Sequence, residues 1–189
     1  FDANGKPVSK NKVYQLRDNA GPVLLKGRRH PVAEAEDADT YVVFGEARIR
    51  EGRTVTTVVD PGLPAWLGEE LADFTPQMLD HYTRRIGESG ARPTLLVSWT
   101  GPTKGVSSMG GSVLPDMISM VFEGDRVLEP NVETLSLARW FIGHEAAHFW
   151  LGSQGMRYAR ARDAWITEGG ADLMAVRALK VIQPDYDDL

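Results

Sequence analysis

His144-Glu145-Ala146-Ala147-His148 sets two imidazoles four residues apart, with a carboxylate beside the first. Residues i and i+4 share one face of a helix. Both rings can therefore converge on a single ion, and zinc takes imidazole nitrogens and carboxylate oxygens as ligands. Glu145 is turned about 100° from His144 around such an axis. It flanks the ion instead of joining the ligands, and it can reach a water there. Ala146 and Ala147 keep the face open. With 4 histidines in 189 residues, this pattern arises by chance in about one such chain in 200. The plain alternative is a pair of ordinary helix histidines.

A zinc site that keeps a position open for water needs a third protein ligand. Asp163, Glu168 and Asp172 follow shortly downstream. Glu168 falls in the first turn of a helix expected from Thr167, its cap, to Val181. Two antiparallel helices joined by a loop bring Glu168 opposite the histidine pair. Glu168 and Asp172 are again four apart. One carboxylate suits a metal ligand, and the other can accept a hydrogen bond from the far nitrogen of a ligand imidazole. For Asp172 the alternative is a solvated helix carboxylate. Gly169 and Gly170 each cost a helix about 1 kcal/mol, and close helix approach or a crowded site accounts for them.

The elements that position these residues read as α+β. Val23–Leu25 and residues 40–44 have strand character, and the acidic stretch 33–39 reads as a loop. Residues 47–50 and 53–59 alternate apolar and polar around Glu51-Gly52 and form a hairpin. Thr75 as cap and Pro76 as first helical residue open a helix that ends near Gly87. Thr94–Trp99 and 117–122 are strands, and the glycine-rich stretch 101–111 between them is a loop. A second helix starts near Glu133-Thr134 and runs to about Leu151-Gly152. The fold expected is a mixed sheet beside helices, with an N-terminal β-rich segment over 1–70 and the metal-site region over 71–189.

Composition excludes several classes. Cysteine is absent, so disulfides, thiolate metal sites and cysteine nucleophiles are ruled out. A net charge of −5 carries no basic footprint for nucleic acid. No apolar run is long enough to span a bilayer. There is no P-loop, dinucleotide fingerprint or Gly-x-Ser-x-Gly. His30 and His81 stand alone and read as ordinary residues. The arginine-rich stretch 156–162 reads as a solvated connecting loop. Trp99, Trp140, Trp150 and Trp165 are expected to fill the core around the helices, and Trp66, in a turn after Pro64, fits either core packing or ligand binding.

His144–His148, followed by Trp165-Ile166-Thr167-Glu168-Gly169-Gly170-Ala171-Asp172, resembles the gluzincin metallopeptidases. Trp-x-x-Glu-Gly is similar to the aminopeptidase N and glycyl aminopeptidase group. The ligand spacing and the Glu-x-x-x-Asp pattern resemble thermolysin. The resemblance implies a thermolysin-like catalytic region with Zn2+ held by His144, His148 and Glu168. It implies Glu145 as the catalytic carboxylate and Asp172 as the partner of a ligand histidine. It implies hydrolysis of a peptide or protein substrate, with residues 110–122 supplying the substrate loop and an edge strand, 117–122. Family habit points to the bacterial envelope, periplasm or exterior.

Two departures keep a second reading open, that of a peptide- or protein-binding domain without turnover. The group carries a Glu for the substrate amine before its edge strand. Residues 109–116 contain none, and Asp116 is out of register for the task. The group's oxyanion-stabilising Tyr or His lies well downstream of the ligand Glu. Tyr158 is the nearby stand-in, and the chain, which starts at Phe1 and ends at Leu189, reads as a fragment of a larger catalytic domain.

Overall fold

The computed structural model describes residues 13–16, 23–25, 28–36, 42–43, 47–152 and 164–185. The chain divides into two compact units, Phe1–Glu46 and Ala47–Leu189. The hairpin of residues 48–59 belongs to the larger sheet. No described helix is long and apolar enough to cross a membrane.

The first unit contains two small antiparallel sheets. One pairs β1 (Val13–Leu16) with β4 (Ala33–Glu36). The other has the order β3 (Arg28–His30), β2 (Val23–Leu25), β5 (Val42–Val43). Residues 33–36 are thus a strand where a loop is expected.

The second unit is α+β. Its five-stranded mixed sheet has the order β6 (Arg48–Glu51), β7 (Thr56–Val59), β8 (Thr94–Trp99), β10 (Met117–Gly124), β9 (Ser107–Leu114). β7, β8 and β10 run parallel, and the two outer strands are antiparallel to their neighbours. The β-branched run of β7 is buried throughout, as suits a strand with neighbours on both sides. β10 is therefore interior, and β9 forms the edge. The expectation that 117–122 is the edge strand is corrected.

β9 also replaces the second half of the expected glycine-rich loop. A Cβ at Gly111 would sit 2.0 Å from the Ser119 carbonyl oxygen and 2.9 Å from the Phe141 ring. Only glycine permits this approach of β9 to β10 beneath a helix. Leu114 pairs with Met117 across a two-residue turn. Asp116 has a φ of 55° there, the left-handed conformation that follows proline in such turns.

Helix α1 spans Ala65–Ile86 and contains Pro76. It begins ten residues before the expected Thr75 cap. Leu67, Leu71, Phe74, Met78 and Tyr82 form one continuous buried stripe, and that burial outweighs the roughly 3 kcal/mol cost of an interior proline. The Thr75 hydroxyl donates to the Leu71 carbonyl at 2.7 Å, so Thr75 bonds backwards within the helix. α2 spans Val132–Ala147 and α3 spans Trp165–Ile182. Ala138, Ile142 and Ala146 of α2 and Ala171, Ala175 and Ala178 of α3 are fully buried. These small side chains let the two helices approach closely. Trp66, Trp99, Trp140 and Trp150 pack against the core. Trp165 is 70% exposed, contrary to expectation.

Gly111→Ala is expected to destabilise the chain by about 1–3 kcal/mol through the backbone clash. Gly110→Ala, which meets nothing within 4 Å, is expected to be near neutral. Urea unfolding of the two variants checks the contrast.

Candidate metal centre

Helix α2 starts where Asn131 Oδ1 accepts a hydrogen bond from the Thr134 amide at 2.8 Å. This is N-capping, one to two residues before the expected start. The helix ends earlier than expected. The amides of His148, Phe149 and Trp150 bond to the carbonyls of Glu145, Ala146 and Ala147, the i→i−3 pattern that tightens a last turn. His148 is the C-cap residue and keeps right-handed helical angles. It therefore still lies one turn beyond His144 on the same face.

Helix α3 brings the carboxylates. It begins at Trp165, two residues before Thr167, whose hydroxyl donates to the Ala164 carbonyl at 2.9 Å and does not cap. Glu168 lies in the first turn. The contact that sets the spacing is Gly143, where a Cβ would lie 3.0 Å from the Ala175 Cβ and 3.1 Å from the Met78 Cε. Gly170 is likewise crowded, by Leu151 at 2.9 Å, whereas Gly169 meets nothing within 4 Å. Crowding thus accounts for only one glycine of the pair.

His144 Nε2 and His148 Nε2 are 3.1 Å apart. Glu168 Oε2 lies 3.3 Å from the first and 3.6 Å from the second. The far nitrogens are both engaged: His144 Nδ1 meets Asp172 Oδ1 at 2.8 Å, and His148 Nδ1 meets the Leu151 carbonyl oxygen at 3.0 Å. A carbonyl or carboxylate oxygen only accepts, so each Nδ1 carries the proton. Two bare Nε2 lone pairs and a carboxylate oxygen then face one another. A cation resolves that repulsion. For ligands about 2.0–2.1 Å from a tetrahedral zinc, neighbouring donor atoms stand about 3.3–3.4 Å apart, and the three separations bracket this value. His144, His148 and Glu168 fit zinc and are, among the described residues, the group able to hold a metal.

Glu145 is buried beside them. Burial pushes its pKa up, opposed by His144, His148 and a hydrogen bond from the Val113 amide, while Glu168 adds to the rise. The edge strand β9 therefore borders the site through Val113. Asp116 is spent on the β9–β10 turn.

Asp172 lies against the His144 imidazole. Asp163, Tyr158 and the arginine-rich stretch 156–162 lie outside the described residues. His30 is on β3 of the first unit, and His81 is on α1. Two residues were not legible as part of the site. The buried Tyr82 hydroxyl donates to the Gly143 carbonyl at 2.9 Å, and Trp150 Nε1 donates to the Gly87 carbonyl at 2.9 Å. Their rings meet edge to face at 5.5 Å. Burial raises the Tyr82 pKa and keeps it a neutral donor. Helix α1 thus grips the segment just before His144 and just after His148. Tyr82 is 61 residues from Gly143, so only its place on the α1 stripe signalled anything.

No family model matches the chain, and no curated protein matches it in sequence. Among solved structures it is similar to yeast LTA4 hydrolase in complex with bestatin, with a TM-score of 0.60 and 17% identity. The likeness is one of fold. It covers 90% of this chain and 27% of that one, so this chain spans about a quarter of its neighbour's length.

Asp172→Ala is expected to weaken zinc binding by about 10–100-fold, measured against a competing chelator. Tyr82→Phe removes a buried hydrogen bond and is expected to cost about 0.5–1.5 kcal/mol, measured by urea unfolding.

Proposed function

We propose that this chain carries the zinc site of a metallopeptidase of gluzincin type, with His144, His148 and Glu168 as ligands and Glu145 as general base. The observation that carries the reading is the convergence of three electron-pair donors at 3.1–3.6 Å, with both Nδ1 atoms already committed elsewhere. The fold likeness to a hydrolase supports it.

Bound zinc would supply a Lewis acid that polarises a substrate carbonyl and acidifies water. Glu145 takes a proton from the attacking water and passes it to the leaving amine. Burial that raises its proton affinity suits a group that must both accept and return a proton. Asp172 and the Leu151 carbonyl hold the two imidazoles in their tautomers and orientations. β9 is paired only with β10 among the described residues. Its other edge can take an extended peptide through main-chain hydrogen bonds, so the substrate role expected of 117–122 moves to β9. The proposed region is thermolysin-like, and aminopeptidase-like cleavage follows from the sequence resemblance.

The second reading, a peptide-binding domain without turnover, draws on β9 itself. Its sequence Ser-Ser-Met-Gly-Gly-Ser-Val-Leu has no acidic side chain to hold a substrate amine.

Glu145→Gln is expected to retain stoichiometric zinc and lose about 10²–10⁴-fold in peptide hydrolysis. His144→Ala is expected to lose the metal. Metal analysis is paired with turnover of aminoacyl and internally quenched peptide substrates. Zinc without turnover in the unmodified chain favours the binding domain, and equal turnover in Glu145→Gln removes Glu145 from the chemistry.

A further inference from the structure

A groove of about 500 Å³ runs between α1 and α3, lined by His81, Arg85 and Ile86 from one helix and Met174, Arg177 and Val181 from the other. Arg177 comes nine residues after Glu168, about 180° around the helix. The groove therefore faces away from the metal centre.

Its charge is unbalanced. Two arginines line it and no acidic side chain does. Neither Arg85 nor Arg177 has an ion-pair partner among the described residues. Guanidinium forks pair with carboxylate and phosphate oxygens, and a concave site with one sign of charge concentrates the opposite ion. His81 adds an independent sign. Most of the residue is buried, it lines the groove, and its ring nitrogens stay open to solvent with no hydrogen-bond partner among the described residues. Burial, together with Arg85 and Arg84, lowers its pKa, so the ring is a neutral donor or acceptor. Ile86 and Val181 are both more than half exposed beside these groups, and Met174 is partly buried against the core. Apolar walls with a few convergent polar groups are the makings of a small-molecule site.

We propose that the α1–α3 groove binds an amphiphilic oxyanion, a carboxylate or phosphate monoester on a short apolar body. Arg85 and Arg177 hold the head, His81 completes its hydrogen bonds, and Ile86, Met174 and Val181 cover the tail.

The test titrates hexanoate and hexyl phosphate against the full chain and follows the His81 imidazole resonance by NMR, assigned by its loss in His81→Gln. A saturable shift with at least one oxyanion is expected, and the tighter ligand tells carboxylate from phosphate. Arg85→Glu and Arg177→Glu, both at exposed positions, should each weaken binding about tenfold or more. Hexanol and inorganic phosphate should give no saturable shift. The proposal is overturned by no saturable shift with either oxyanion, by equal affinity in both arginine variants, or by hexanol binding as tightly as hexanoate.

Discussion

The short contact between α2 and α3 is the constraint on which the site depends. At Gly143 a Cβ would press on Ala175 at 3.0 Å and on Met78 at 3.1 Å. Alanines line the rest of the seam on both helices. That separation lets His144 reach Asp172 with one nitrogen while its other nitrogen stands 3.3 Å from Glu168. A larger side chain in the seam would push the carboxylates away from the imidazoles and dissolve the convergence. The chemistry is thus written one residue away from the packing that permits it.

The second requirement is that α2 be held at both ends of its His pair. Tyr82 bonds the carbonyl just before His144, and Trp150 ties the segment just after His148 to the C-terminus of α1. From below, β9 reaches the same helix: Phe141 presses on Gly111, and the Val113 amide meets Glu145. Glu145 is held between a burial that favours its neutral form and histidines and an amide that favour its charge. Such opposed influences suit the general-base role proposed for Glu145.

Helix α3 serves three faces at once. Glu168 and Asp172 address the imidazoles, Ala171, Ala175 and Ala178 fill the seam, and Met174, Arg177 and Val181 line the groove with α1. A helix used on all sides shows no clean apolar stripe. Its sequence pattern accordingly points to a start two residues late and to a buried Trp165, which is in fact exposed.

Local patterns made much legible. Alternation marked the β6–β7 hairpin and a compact apolar run marked β8, because both signals lie in neighbouring residues. The i, i+4 spacing placed His144 and His148 on one face and paired Glu168 with Asp172. What depended on distant residues was hidden. Pro76 looked like a helix start until the buried stripe of α1 carried the helix through it. The glycines of 101–111 looked like a loop until Gly111 was seen under Phe141. The edge of the sheet passed from β10 to β9 because strand order depends on which strands pair, and pairing leaves no local trace. The sequence by itself determined which residues can bind a metal, since ligand chemistry resides in the side chains. Only the tertiary structure decided that their donor atoms meet within 3.6 Å, since that follows from how closely two helices distant in sequence can pack.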